Sequence, residues 1–215
     1  MGVECYGGGL WHTWFDRDLG VVGRVLVREE DKIVQRLIKV ERAVLRIPNL
    51  AIHLQTADER AAFKINKEDH LSPIIATQAE KSLSGTDEEK DGWTEYQEPA
   101  LLQLLAKELD VEVKDIVDFE LSLFDIQKAN LGGVYDEFLH SARLDNLGSC
   151  FLAVEALTEH VSEGKVANDQ DISMVILYDH EEVGSTSAVG AASPILADAV
   201  RRISAAFGGN LPHPF

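Results

Sequence analysis

Two adjacent glutamates, Glu181 and Glu182, follow an apolar run at residues 174–178, and Gly184 and Ser185 come soon after them. In such a pair, one carboxylate can bind a divalent metal while its neighbour accepts a proton from water. Zinc is a suitable metal because it accepts carboxylate oxygens. Acidic residues near the start of a helix also complement its dipole without having any function. The pair alone therefore leaves both interpretations open.

A third acid, Asp145, lies upstream of the pair, directly before a segment with helical character. We expect a helix over residues 146–161, a buried strand over 172–178 and a second helix over about 188–206. In open α/β sheets, ligands bind outside the carboxyl ends of the strands. These elements could therefore assemble a metal site from Asp145 and the two glutamates.

His53 ends an apolar run at residues 46–53, in which Pro48 excludes a central strand position. A lone histidine in such a place usually has a structural role. Its type and position alone also allow a ligand or catalytic role, so both remain open.

The composition restricts the class of protein. The chain has 215 residues, 45% of them hydrophobic, and a formal net charge of −17, which argues against nucleic acid as a partner. Residues 98–215 alone contain twenty acidic and seven basic residues. No apolar run reaches the length of a transmembrane helix, and the N-terminus has no signal sequence. Cys5 and Cys150 lie far apart and form no CxxC pattern, so we expect no disulfide framework and a reducing, cytoplasmic environment. Together with the composition, these features predict a globular protein without a membrane partner.

The first half of the chain is predicted to be rich in β-structure. Runs at 21–28 and 33–40 with a four-residue polar link indicate a hairpin. Proline at the start of 98–109 favours a helix, and alternation over 116–124 favours a strand. We also expect a short helix at 72–79, a loop at 84–92 and a turn at 130–133. The sequence thus divides near residue 125 into a β-rich part and an α/β part.

Five groups of motifs, in order along nearly the whole chain, resemble the aspartyl aminopeptidases of the M18 family of dinuclear zinc peptidases. They are Tyr-Gly-Gly-Gly at 6–9 with Trp-Phe-Asp-Arg-Asp at 14–18, Arg-Ile-Pro at 46–48 with Leu-Ala-Ile-His at 50–53, Gly-Gly-Val-Tyr-Asp-Glu-Phe at 132–138, Arg-Leu-Asp-Asn-Leu at 143–147, and Tyr-Asp-His-Glu-Glu-Val-Gly-Ser at 178–185. Each motif is weak alone, and the five together are specific.

The resemblance implies an α/β fold with a mixed sheet between helices and an inserted β-rich dimerisation domain. Residues 1–125 would belong to the dimerisation domain and 126–215 to part of the catalytic domain. By the family pattern, Asp145 bridges two zinc ions, Glu182 is a zinc ligand and Glu181 is the general base. His53 would reach into the active site of the partner subunit, whereas Asn49 stands where relatives can carry another histidine and is not expected to be catalytic.

The family's other zinc ligands, a histidine upstream and an aspartate and a histidine downstream, have no counterpart here. We therefore expect an interior fragment of a zinc-dependent aminopeptidase that releases N-terminal Asp or Glu from peptides, inactive and poor at binding zinc by itself. One alternative is a self-associating module without catalysis. Another is a related dinuclear aminopeptidase that prefers neutral residues.

Overall fold

The computed structural model describes residues 1–78 and 92–209. The strands and α-helices, in chain order, are β1 (Leu19–Glu29), β2 (Lys32–Leu45), α1 (Ala57–Ala61), α2 (Pro99–Leu109), β3 (Ile116–Asp125), β4 (Asn130–Gly132), β5 (Phe138–His140), α3 (Leu144–Ser162) and α4 (Ile195–Ala206). Short 3₁₀ helices lie between several of them. Apart from Gly92, the predicted loop at 84–92 lies outside the described residues.

The chain forms two compact units. The first unit comprises Met1–Cys5 and Leu10–Ala129, and the second comprises Tyr6–Gly9 and Asn130–Phe215. The Tyr6–Gly9 segment thus packs with residues more than a hundred positions later. The assignment of dimerisation to residues 1–125 and of catalysis to 126–215 stays a prediction.

The first unit is built on an antiparallel sheet with the strand order β2-β1-β3. β1 and β2 form the predicted hairpin, with Glu29 opposite Lys32 and Glu30 at φ +53° in the turn. β3, the strand predicted at 116–124, pairs with the other edge of β1. Gly20 lies opposite Phe124, and a Cβ at residue 20 would collide with the Val40 carbonyl oxygen and the Phe124 ring. Glycine therefore allows this close approach at the central strand.

Helix α2 packs its apolar face on this sheet. Pro99 occupies its first turn, as predicted, and the Glu98 side chain accepts a hydrogen bond from the Ala100 amide. The helix ends at Leu109, and Asp110, the C-cap residue, has a left-handed backbone conformation. Leu105 is fully buried and joins Val25 and Val27 of β1 in one hydrophobic core. Within the described residues, every buried hydrophobic side chain belongs to this first unit.

The second unit combines helices with a small antiparallel hairpin. β4 and β5 pair with Asn130 opposite His140. Helix α3 confirms the helix predicted at 146–161, and α4 confirms the C-terminal part of the helix predicted at 188–206. The α/β class of the chain is therefore confirmed, and all the sheet pairings of the described residues are antiparallel.

Four predicted elements need correction. Residues 172–178 form no strand, because no neighbouring strand in the described parts of the chain pairs with them, and Leu177 is exposed. The last helix begins at Ile195 and not near 188, since a proline, here Pro194, disfavours helical geometry at the residue before it. Residues 130–132 form strand β4 and not a turn.

The fourth correction concerns the short helix predicted at 72–79. Residues 72–77 are not helical, because Ile74 pairs instead with Arg46 through two backbone hydrogen bonds of 2.8 and 3.2 Å. Pro73 is fully buried beside this pairing. The burial of Pro73 and the bridge between Ile74 and Arg46 have therefore overridden the helix start that Pro73 predicted.

No helix in residues 1–78 and 92–209 has the length and apolar character required to cross a bilayer.

Candidate active site

Asp145 lies at the start of α3, in the second unit. Arg143, directly before the helix, has a left-handed backbone conformation with φ +61°. Asp145 itself has φ −87° and ψ 115°, so regular helical geometry begins only after it. Its side chain is exposed. The carboxylate therefore projects from a chain turn and not from the side of a regular helix.

Glu181 and Glu182 lie on a tight loop of the same unit. A 3₁₀ helix spans Glu181–Val183, and it is bounded by two residues in the left-handed region, His180 at φ +61° and Gly184 at φ +102°. The Gly184 amide donates to the Glu181 carbonyl oxygen at 3.0 Å, and the Ser185 amide donates to that of His180 at 3.0 Å. Both glutamate side chains are exposed.

The His180 side chain contacts a later residue of the same loop. Its Nδ1 lies 2.7 Å from the hydroxyl oxygen of Ser187, within hydrogen-bond distance. The Asp179 amide donates to the Val189 carbonyl oxygen at 3.3 Å, which joins the two ends of the segment. Sequence reasoning missed this role of His180, although Gly184 and Ser185 soon after the two glutamates were a signal for a tight turn.

The Tyr6–Gly9 segment contacts the same loop. The Gly8 amide donates to the Glu182 carbonyl oxygen at 3.2 Å, and the rings of Tyr6 and His180 have centroids 6.4 Å apart. Gly7 has φ +71°, and a Cβ there would lie 2.5 Å from the Cβ of Glu182. Glycine permits unusual backbone angles and close approach by another group, and Gly7 shows both.

His53 lies in the first unit, in the 3₁₀ helix Ile52–Leu54, and its side chain is exposed. Side chains hold the loop before it. Asp16 accepts hydrogen bonds from the amides of Asn49 at 3.0 Å and Leu50 at 3.2 Å. Asn49 accepts one from the Gln55 side chain at 2.8 Å. Asn49 thus has a structural contact, and Asp16 is a further candidate that the motif contained but sequence reasoning did not single out.

The chemistry of Asp145 and Glu182 suits zinc, but the number of donors does not complete a site. In the part of the chain that the structure describes, no three His, Cys, Asp or Glu side chains form a group that could hold a metal ion. The structure places Asp145, Glu181 and Glu182 in the second unit and His53 in the first. A structural zinc site requires four ligands and a catalytic one three. The residues present therefore do not fit a complete zinc site by themselves.

Comparison with known proteins identifies the class to which this combination of motifs and fold belongs. The sequence model described as "Aminopeptidase I zinc metalloprotease (M18)" matches residues 1–212. The chain belongs to the M18 family of zinc metallopeptidases.

Individual relatives narrow the comparison. The chain is 45% identical to an aspartyl aminopeptidase of Aspergillus oryzae, over 95% of this chain and 45% of the relative, and 44% identical to aspartyl aminopeptidase 1 of Schizosaccharomyces pombe, over 94% and 44%. Among solved structures, it matches a chain in the cryo-EM structure of the Ape4 and Nbr1 complex with a TM-score of 0.84 and 44% identity, over 94% of this chain and 39% of that one. It also matches the S. cerevisiae mApe1 dodecamer with a TM-score of 0.71 and 32% identity, over 94% and 42%.

These matches share a feature of length. The chain spans about 45% of the length of the curated relatives that it matches. The activity of those whole proteins therefore supports a proposal about this chain and is not a property of these 215 residues.

Proposed function

We propose that this chain is part of a zinc-dependent aminopeptidase that releases N-terminal Asp or Glu from peptides. The observation that carries the proposal is the match over residues 1–212 to a zinc metalloprotease family, with aspartyl aminopeptidases among the relatives at 41–45% identity. The motifs on which the resemblance rests contain the carboxylates that such a reaction requires.

We assign Asp145 and Glu182 as zinc ligands and Glu181 as the general base. Two zinc ions would occupy the complete site, and they would supply electrophilic activation of the peptide carbonyl and of water. Asp145 can serve two ions because a carboxylate has two oxygens. Glu181 has to stay free of metal, since it accepts a proton from the attacking water and then delivers it to the leaving amine.

We place the remaining ligands outside these 215 residues. The doubled length of the relatives supports this, as does a stripe of exposed apolar residues on α3. Leu144, Leu147, Phe151, Val154 and Val161 follow helical spacing and are 43–63% exposed. A helix normally buries such a stripe against other structure. Further polypeptide over this face would complete both the packing of the second unit and its site.

Charge bears on the choice of substrate. Residues 98–215 have a net charge of −13, and an acidic surface repels acidic peptides at long range. Selection of Asp or Glu must therefore depend on cationic groups close to the bound side chain. A protein of the same family that prefers neutral residues is the alternative, and faster hydrolysis of a Leu-terminated than of a Glu-terminated peptide would favour it.

Self-association is the second function that we propose, with residues 1–125 as the dimerisation domain and His53 contributed to the partner's active site. One neighbouring structure is a dodecamer, which supports assembly in the family. Sedimentation equilibrium of the chain tests it, since a strict monomer at all concentrations would contradict a dimerisation role. The free thiols of Cys5 and Cys150 suit the cytoplasm, where we expect the protein to act.

The decisive experiment compares the hydrolysis of Glu- and Leu-terminated peptides, with added zinc, by the 215-residue chain and by the full gene product. We expect turnover by the full gene product only, lost in Glu181→Gln with zinc content unchanged. Asp145→Asn should instead lower the zinc content. Turnover that survives Glu181→Gln would refute the base assignment, and turnover by the 215-residue chain would refute the need for outside ligands.

A further inference from the structure

The sheet of the first unit has two faces that differ in what covers them. The inner face packs with helix α2 in the hydrophobic core, through side chains such as Val25 and Phe119. Successive side chains of a strand point to opposite faces, so the side chains on the side of Arg24 form a second, outer face. Arg24 lies there between Leu37 of β2 and Glu120 of β3 in cross-strand register. In the part of the chain that the structure describes, no outer-face side chain belongs to the hydrophobic core.

The outer face is rich in apolar side chains, although a sheet face that meets water normally carries polar residues. Five of its positions are apolar: Val22, Leu26, Ile33, Leu37 and Phe124. Leu37 is 79% exposed and Ile33 is 58% exposed, whereas the other three are half-buried. A single exposed leucine is ordinary, but several apolar side chains on one uncovered face indicate a contact surface.

The charges of the outer face balance one another. Three basic and three acidic residues lie on it: Arg24, Arg28, Lys39, Glu41, Asp118 and Glu120. Arg24 forms an ion pair with Glu120, and Lys39 forms one of 2.6 Å with Glu41. The face therefore has no net charge, in a chain whose net charge is −17. Two copies of such an acidic chain repel each other, and they approach with least repulsion through a neutral face.

We propose that the outer face is a contact surface between two copies of this chain. This inference rests on the proposed self-association and assigns it to one surface, since all three strands lie within residues 1–125. A strongly charged partner, such as an acidic peptide or a nucleic acid, would gain nothing from a face without net charge. A second copy presents the same apolar side chains and the same balance of charge.

The size of the outer face determines how strong this contact should be. Three strands about 4.8 Å apart and about ten residues long cover about 14 Å by about 34 Å. Two such faces would bury on the order of 1,000 Å² in total, at the low end for specific interfaces. We therefore expect a weak, reversible dimer that forms only as the protein concentration rises.

The test compares three lysine variants of the 215-residue chain by sedimentation equilibrium over a wide range of protein concentration. Leu37→Lys places a charge on the outer face. Leu10→Lys is the matched control in the same unit, since Leu10 is 72% exposed and lies outside the sheet. Phe151→Lys, at a position 63% exposed, changes the apolar stripe of α3. All three variants change the net charge equally, so a difference in the dissociation constant of the dimer identifies the contact surface.

We expect Leu37→Lys to raise the dissociation constant at least about tenfold, because an unpaired charge would lose its water in the contact. Leu10→Lys and Phe151→Lys should leave it close to that of the unmodified chain. Added salt should strengthen the dimer, since it screens the repulsion between two acidic chains. In methyl-labelled chain, the signals of Leu26 and Leu37 should shift with concentration, and that of Leu105, buried in the core, should not.

The outcomes separate this inference from the proposed functions. A dimer that Leu37→Lys leaves intact, or that this variant and either control weaken equally, would overturn the role of the outer face while self-association stood. A dimer without methyl shifts at Leu26 and Leu37, or one that salt weakens, would overturn it as well. A monomer at every concentration would overturn both the outer-face contact and the proposed self-association. The aminopeptidase proposal is independent of these results, because no measurement here uses zinc or a peptide.

Discussion

Asp16 organises the loop that leads to His53, and its removal should release that loop. One carboxylate oxygen accepts from the amides of Asn49 and Leu50, and the Asp16 amide donates to the Ile47 carbonyl oxygen at 2.8 Å. Asp16 also has φ +58°, a left-handed conformation that Asp tolerates better than most residues. Asp16→Ala would remove both carboxylate bonds and place a less suitable residue in this conformation.

The size of the effect follows from these contacts. A hydrogen bond to a charged group contributes about 1.5–3 kcal/mol when it is shielded from water. Here Asp16 and Asn49 are half-buried and Leu50 is exposed, so water can replace part of what is lost. We therefore expect the local free energy of opening to fall by about 1–2 kcal/mol, which corresponds to roughly 5–30-fold faster exchange of the two amides. Asp16→Asn keeps an uncharged acceptor, so its amide exchange rates should lie between those of the unmodified protein and those of Asp16→Ala.

Amide hydrogen exchange resolved at Asn49 and Leu50 measures this directly. Asp18→Ala is the matched control, because the Asp18 carboxylate pairs with the exposed Arg46 side chain, at 3.2 Å, and not with the amides of this loop. Surface pairs of that kind contribute about 0–1 kcal/mol. If Asp16→Ala exchanged no faster than Asp18→Ala at these two amides, the carboxylate would not hold the loop. That result would also refute the inference that Asp16 helps to place His53.

Two further predictions concern the first unit. Leu105→Ala should destabilise it by about 2–5 kcal/mol, because the side chain is fully buried, whereas Leu37→Ala, at a position 79% exposed, should change little. Urea titration followed by tryptophan fluorescence reports on this unit alone, since all three tryptophans lie in it, and equal midpoints in the two variants would refute the core assignment. Hydrogen bonds from the Thr56 backbone and then its hydroxyl hold the pKa of Glu59 below its ordinary value of 4.5. The bonds that the Glu59 carboxylate contributes to the cap on α1 should therefore be intact above pH 4.5 and weaken as the pH falls through the lowered pKa, and a carboxyl NMR titration that shows no downward shift relative to Thr56→Ala would contradict this.

Local signals predicted the elements whose partners are near in sequence. The hairpin of β1 and β2 has two β-rich runs joined by a short polar link, so its register depends on neighbours only. Helix α2 has its own proline start and an apolar face. The place of β3 beside β1 could not be predicted in this way, because an alternating run does not specify which of several strands it joins.

The apolar run at 174–178 shows the opposite case. Its composition favours a strand, but a strand exists only where another strand supplies hydrogen bonds. The strand therefore depends on tertiary packing that propensity does not contain. The start of α4 is different, since Pro194 disfavours helical geometry at the residue before it and was itself a local signal in the sequence.

The candidate site also combines residues that the sequence suggested with contacts that only the fold creates. Motif order and spacing suggested Asp145, Glu181, Glu182 and His53, and their roles stay predictions, because the structure gathers no three of the described metal-binding side chains into one group. The contacts of Gly7, His180 and Asp16 depend on the folded chain and have no local signal in the sequence. A glycine that approaches a glutamate 175 positions later has no local signature, since three successive glycines equally fit a flexible linker.

The two units differ in burial, since every buried hydrophobic side chain of the described residues lies in the first unit. The first unit has a sheet, a covering helix and a shared hydrophobic core, which are what a domain needs to fold by itself. The second unit holds the candidate catalytic carboxylates and exposes the apolar stripe of α3. Tight loops fix the backbone around Glu181 and Glu182, so the proposed function needs further polypeptide only to complete a site that is already partly organised. Folding of the first unit should therefore precede, and be independent of, completion of the active site, and tryptophan fluorescence should show one cooperative transition in the 215-residue chain even where zinc binding is weak.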